Sequence, residues 1–388
     1  MKKLLNPYYI YILSFSFVII LNALKWSDFL IELSDSLIVF FAVTFLISFF
    51  LGQNLKRHRS NVYEPSKEFS KADTKRVHFI WVGFLLEFLY ARQIPLLQFG
   101  LGISDGQFAH FGGIPTFHVI IVTYSVYYSC VYFYKLLSFY SHRRLLIFLS
   151  ISLLPPLLMI NRGMLFAEII SCLFIFLLSI KTFNRRYRAY TCLIILISLF
   201  SFAYLGKMKI GDDEDNRAII AYTQPTEKFE QTRLPALILW PYIYASSPIS
   251  NLELCVSTYK PIYSEKNFIA GCLFPDFISN RIFVERDAYV EPPLITPVFN
   301  VSSMYAGAYV AYGWIGMIIL FFYNILILTI SLLCTSRRSN ENYTVLYSLV
   351  CTVMALNTFF NMWTFSAISF PIIWAYLDNI IKRIKWSL

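Results

Sequence analysis

Apolar runs of roughly twenty residues recur along the chain, separated by short polar segments, and one long polar stretch interrupts them at 207–303. Runs of that length match the hydrocarbon width of a bilayer. The pattern predicts ten membrane-spanning helices, near 5–24, 33–51, 77–90, 117–137, 145–160, 163–180, 189–206, 304–333, 343–361 and 364–381. The third is short for a core about 30 Å thick. The expected organisation is seven helices within 1–206, a large loop over 207–303, and three helices within 304–388.

Lysine and arginine orient this array. With Met1 inside, every inside segment carries at least two: Lys2 and Lys3; Lys56 to Arg76; Lys135, Arg143 and Arg144; Lys181 to Arg188; Arg337 and Arg338; Lys382 to Lys385. The short outside segments carry Lys25, Arg92 and Arg162, one each, or none. Short loops rich in Lys and Arg stay cytoplasmic. Both termini are therefore expected inside, and the long loop outside. Met1-Lys2-Lys3 and the apolar run to Leu24 look like a signal peptide. No small-x-small cleavage site follows, so the run is expected to stay as the first span.

Composition agrees: 57% of the 388 residues are hydrophobic and 14% charged, against about 25% charged in ordinary soluble domains. The formal charge of +10 is taken up by loops at an anionic membrane face, not by nucleic acid. Cys255 and Cys272 share the long loop. They can pair in an oxidising compartment or remain thiols.

The long loop holds twelve acids and nine bases, with acids grouped at Asp212–Asp215 and arginines at Arg217, Arg233, Arg281 and Arg286. Arg233 to Tyr244 is apolar, Pro-punctuated and too short to span. It predicts a short interfacial or re-entrant helix, with Trp240, Tyr242 and Tyr244 at headgroup level or stacked on sugar rings. The segment 92–116 is glycine-rich but lacks the Gly-Lys-Ser/Thr of a phosphate loop, and is expected to be a flexible surface loop. At Asn161-Arg162-Gly163 the chain turns tightly between two runs, with Gly163 suited to the turn. Arg162 there either snorkels to the interface or meets an anion beside a helix N-terminus. Asp35, Glu87 and Glu168 fall inside apolar runs, where ionisable groups are functional candidates.

The five histidines form no ligand spacing, and no nucleophile elbow, Gly-Lys-Thr or His-Glu-x-x-His motif occurs. Metal and nucleotide hydrolysis are not expected, and no cofactor is implied. Arginine forks suit diphosphates, because each binds two oxygens at once. A departing diphosphate needs charge stabilisation, and an acceptor hydroxyl gains from a carboxylate base.

The layout resembles the bacterial oligosaccharide repeat-unit polymerases, the O-antigen polymerase (Wzy-type) family. The local matches are Asn161-Arg162-Gly163, the stretch Tyr244-Ala245-Ser246-Ser247-Pro248-Ile249-Ser250-Asn251-Leu252-Glu253, and Asn300 to Gly316, which ends in Ala311-Tyr312-Gly313-x-x-Gly316. That last stretch departs from the family's Asp-Phe-Gly-x-x-Gly, since the acid is absent; its glycines also suit close helix packing. The resemblance implies an all-α, polytopic, GT-C-like glycosyltransferase of the inner membrane. It would polymerise undecaprenyl-diphosphate-linked oligosaccharides into O-antigen at the periplasmic face, among membrane lipid and with a chain-length regulator protein as partner. It implies Arg162, Arg217, Arg233 and Arg286, with Trp240, for substrate binding, and Asp213 or Glu253 as base. A lipid-linked oligosaccharide flippase and an O-antigen ligase are the alternatives. A flippase should show internal repeats, and none is clear.

Overall fold

The computed structural model describes residues 5–54, 71–100, 111–138, 141–179, 189, 217–283, 291–335 and 340–384. Among these the chain is helical, without strands. The helices are α1 Pro7–Leu24, α2 Asp35–Asn54, α3 Lys71–Ala91, α4 Pro95–Gly100, α5 Phe117–Ser138, α6 His142–Ser152, α7 Leu154–Leu158, α8 Arg162–Ser179, α9 Arg217–Thr223, α10 Glu227–Glu230, α11 Leu239–Thr258, α12 Glu265–Phe268, α13 Asp276–Ile282, α14 Ser303–Thr335, α15 Asn340–Leu356 and α16 Ser366–Ile384. Four of them, α1, α2, α5 and α14, are long and apolar enough to cross a membrane. The expected run 189–206 lies outside the described residues except for helical Ala189.

Local chemistry accounts for the boundaries. Asn6 caps α1 by accepting from the Tyr8 N–H at 3.0 Å, and Pro7 fills a first-turn position where no N–H is needed. The expected run 145–160 divides at Leu153, ahead of Pro155 and Pro156. Proline can start a helix but not continue one. The third helix is longer than its apolar run predicts, at 21 residues, because its polar first turn is bound into the bundle, as described below.

α5 is the central helix. Of its apolar window 78% is buried, against 33% for α2. It packs on α3, α6, α8, α15 and α16. At the periphery the large apolar side chains face outward: Val39, Val43 and Leu46 on α2, Val82 and Leu89 on α3, Phe322 and Leu326 on α14. That surface suits hydrocarbon rather than water. Inside, α1, α2 and α14 meet in an aromatic cluster where Tyr11 and Tyr305 hydroxyls lie 2.7 Å apart and the Phe15 ring packs on Tyr11 and Phe41.

The start of α3 and the ends of α5 and α16 share a charged network. Lys135 Nζ donates to both Asp73 oxygens at 3.0 Å. Arg76 donates to Asp73 at 3.2 Å and to Asp378 at 3.0 Å, and its guanidinium lies 4.9 Å from the Tyr128 ring centroid. The hydroxyls of Tyr127 and Tyr128 donate to Asp378, and that of Tyr132 to the Asp73 carbonyl. Two acids and two bases thus neutralise each other where Asp73 and Asp378 are buried.

The opposite end of the bundle carries the long polar stretch, and is called the loop end here. A second, smaller apolar cluster forms there from Leu30, Ile219, Phe229, Leu239, Trp240, Tyr242, Ile243 and Phe299. The segment expected as a short interfacial helix is instead the start of α11, a 20-residue helix that packs between α1 and α14. Trp240 and Tyr242 are enclosed by protein. Both are 5% exposed, with Trp240 on the Phe299 ring and the Tyr242 hydroxyl donating to the Leu21 carbonyl. The polar run after Tyr244 is helical because its side chains find buried partners: Asn251 donates to the Phe299 and Val301 carbonyls and accepts from the Ile295 N–H.

α14 is broken at Tyr312 and Gly313, where Gly313 has φ 64°. The break frees two carbonyls, and the 259–264 segment fills them: Ile262 N–H donates to Val310 O at 2.9 Å and Ser264 N–H to Ala311 O at 3.0 Å. A Cβ on Gly316 would lie 2.3 Å from the Ala308 carbonyl oxygen. Both glycines of Ala311-Tyr312-Gly313-x-x-Gly316 therefore serve a break within one helix, not contact between two.

Candidate functional site

At the loop end α3 and α5 bring an acid and a histidine together. Gly83 lets these helices approach closely, since a Cβ there would lie 2.4 Å from Ile121 Cδ1. Glu87 is one turn beyond Gly83, and His118 one turn before Ile121, so the close approach sets them face to face. His118 Nδ1 lies 2.8 Å from Glu87 Oε2. Glu87 is fully buried, and its Oε1 has no partner among the described residues. The His118 side chain is 27% exposed. A carboxylate accepts at Nδ1, so in the neutral ring the proton sits on Nδ1 and Nε2 is the acceptor nitrogen. Phe111 packs on the ring at 5.4 Å between centroids.

Gly113 covers this pair. A Cβ there would lie 2.1 Å from Glu87 Oε2 and 2.6 Å from His118 Nδ1. The end of the glycine-rich segment is thus not simply a flexible surface turn. Gly113 is the residue that lets backbone close over the carboxylate; 101–110 lie outside the described residues.

Arg281 of α13 is joined to the start of α5 through Thr116. Its guanidinium lies 4.1 Å from the Phe277 ring centroid, with Nη2 donating to Thr116 Oγ1 and Nη1 to the Phe277 carbonyl, both at 2.6 Å. Thr116 is two residues from His118, with φ 72°. Arg281 is exposed, and a guanidinium has five N–H donors, so the fork keeps donors for an oxyanion. α13 itself is fastened down: Asp276 accepts from the Ser366 hydroxyl and N–H, and Asp276 N–H donates to the Thr364 carbonyl at 2.7 Å.

Of the residues anticipated from sequence, Glu253 and Trp240 are held by other parts of the loop end. Glu253 is buried on α11, where its Oε2 accepts from the Ser34 N–H at 2.8 Å and hydroxyl at 2.9 Å, tying the α1–α2 connection to α11. Trp240 is enclosed in the smaller apolar cluster. Arg217 opens α9 and is exposed. Arg233 is exposed after α10, with φ 54°. Asp213 and Arg286 lie outside the described residues. Arg162 is the first residue of α8, and its side chain lies outside the described residues. At that helix end Asn161 Oδ1 accepts from the Met164 N–H at 3.0 Å, so one N–H that an anion would use is already capped. The left-handed residue of the turn is Ile160, φ 52°, not Gly163.

Cys255 and Cys272 are free and buried. Asp35 is exposed in the first turn of α2. Glu168 is buried on α8 with both oxygens unpartnered among the described residues. Among the described residues, no three His, Cys, Asp or Glu are grouped to hold a metal.

His118 and the placement of Arg281 are what sequence reasoning missed. Glu87 was detectable as an acid in an apolar run; its partner lies 31 residues away, across a turn whose length no periodicity fixes. No family model, curated protein or solved structure matches the chain.

Proposed function

We propose that the chain is an O-antigen polymerase of the inner membrane. It is a GT-C-like glycosyltransferase with about ten spans, both termini cytoplasmic and 207–303 periplasmic. It transfers a growing glycan from undecaprenyl diphosphate onto the sugar of another lipid-linked repeat unit. The observation that carries the reading is the fork of Arg281, stacked over Phe277 and bonded to Thr116, two residues before the carboxylate-held His118. A cationic fork suits a diphosphate leaving group, and the loop-charge rule puts this end of the bundle outside. Arg162, Arg217, Arg233 and Arg286 are further cations of the same side, and Asp213 and Glu253 its further acids. Membrane lipid surrounds the helices, and a chain-length regulator protein is the expected partner.

Deleting the gene and separating the cell's lipopolysaccharide on a gel tests this. The expected result is a single repeat on the lipid core with no ladder, restored by the gene on a plasmid. Absence of any repeat would assign a flippase or ligase instead. Arg281→Ala, at equal abundance in the membrane, should lower long-chain product roughly ten- to a hundred-fold, the equivalent of one charge-assisted hydrogen bond. An undiminished ladder from that variant removes Arg281 from the site.

A further inference from the structure

Glu87 presents one buried carboxylate oxygen to His118 and has no donor for the other among the described residues. A buried carboxylate is costly unless paired. The imidazole is therefore the group that compensates it, and more fully once the ring carries a proton. The same arrangement orients the ring, because the close approach at Gly83 and the backbone at Gly113 leave it little freedom. The ring is 27% exposed, and Thr116, two residues before it, accepts a hydrogen bond from Arg281.

We infer that His118, held by Glu87, is the proton acceptor for glycosyl transfer, and that Arg281 binds the departing diphosphate. The inference rests on the polymerase reading. In the step, the acceptor sugar's hydroxyl oxygen forms a bond to the anomeric carbon of the donor glycan. The bond from that carbon to the diphosphate oxygen breaks, and its electron pair leaves on the lipid diphosphate. The hydroxyl proton passes to His118 Nε2, and the resulting imidazolium remains against the Glu87 carboxylate. His118 is the catalytic residue; Glu87 is a positioning residue that acts through it.

The experiment uses the purified full-length chain in detergent, with lipid-linked repeat units extracted from membranes of the deletion strain as substrate. Chain extension per protein molecule is measured. His118→Ala should lose about 10²–10⁴-fold in rate, the usual contribution of general acid–base catalysis. Added imidazole should restore part of that loss, because the space vacated by a partly exposed ring admits a small heterocycle. Glu87→Gln, which keeps hydrogen bonding but removes the charge, should lower kcat with little change in KM, and imidazole should not restore it. A His118→Ala rate equal to wild type overturns the inference, and so does a lost rate that imidazole fails to raise, which assigns the ring a packing role. Failure of the polymerase reading looks different: the wild-type protein extends nothing and the deletion strain keeps its ladder, whatever His118 does.

Discussion

The bundle holds ionisable clusters at both ends, equally buried but unequally satisfied. At the far end Asp73, Arg76, Lys135 and Asp378 neutralise one another, and three tyrosines add hydrogen bonds. At the loop end Glu87 has His118, and one of its oxygens has no partner among the described residues. A saturated network in a low-dielectric interior fixes helices to one another. The Glu87–His118 pair is unsaturated: one carboxylate oxygen has no donor among the described residues, and the ring is partly exposed. Burial alone separates neither case; the completeness of partnering does.

The largest effect should come from breaking the saturated side. Asp73→Ala strands Lys135 and half of Arg76, and should cost about 3–5 kcal/mol, measured as unfolding of the detergent-solubilised protein. Pairing Asp73→Leu with Lys135→Met should recover most of that loss. A cost under about 1 kcal/mol for Asp73→Ala would mean that the far-end network clamps nothing.

A smaller cost is expected from Gly113→Ala, whose new Cβ overlaps both Glu87 Oε2 and His118 Nδ1. Overpacking of that kind costs about 1–3 kcal/mol. It should also displace the backbone over the pair, so that His118 reacts faster with diethyl pyrocarbonate than in wild type. Unchanged reactivity and stability would show that the cover is not close.

The smallest change in stability should follow Glu87→Gln. Removing an incompletely paired buried charge while keeping its shape should shift stability by less than about 1 kcal/mol, in either direction. A loss comparable to that of Asp73→Ala would put both ends in the same category and dissolve the contrast.

The helices were legible because membrane-length apolar runs leave little choice of local structure. The four that follow this rule most closely, α1, α2, α5 and α14, need no tertiary information. What could not be read is how polar residues pair across helices. Ser246 to Glu253 looks like loop by composition, yet it is helix, because Asn251 and Glu253 find partners in 295–301 and at Ser34. Trp240 has the composition of an interfacial anchor, but Phe299 from 59 residues later covers it. Gly313 was visible as a glycine; that it has φ 64° depends on Pro261 and Ile262 packing into the break.

That break in α14 also sets which changes the 259–264 segment can tolerate. Its two attachments to the helix run from the main-chain N–H groups of Ile262 and Ser264 to main-chain carbonyls. Nearly any amino acid supplies such a donor, so at Ile262 the seam itself does not depend on the side chain, whereas the Tyr263 ring packs on Tyr312 and the Ser264 hydroxyl caps α12. Proline is the exception at 262 and 264, since it has no N–H to give. At 261 a proline already stands, packed against Gly313 together with the Tyr263 hydroxyl. The main-chain seam therefore constrains the segment by its backbone donors rather than by the identity of the residue at 262.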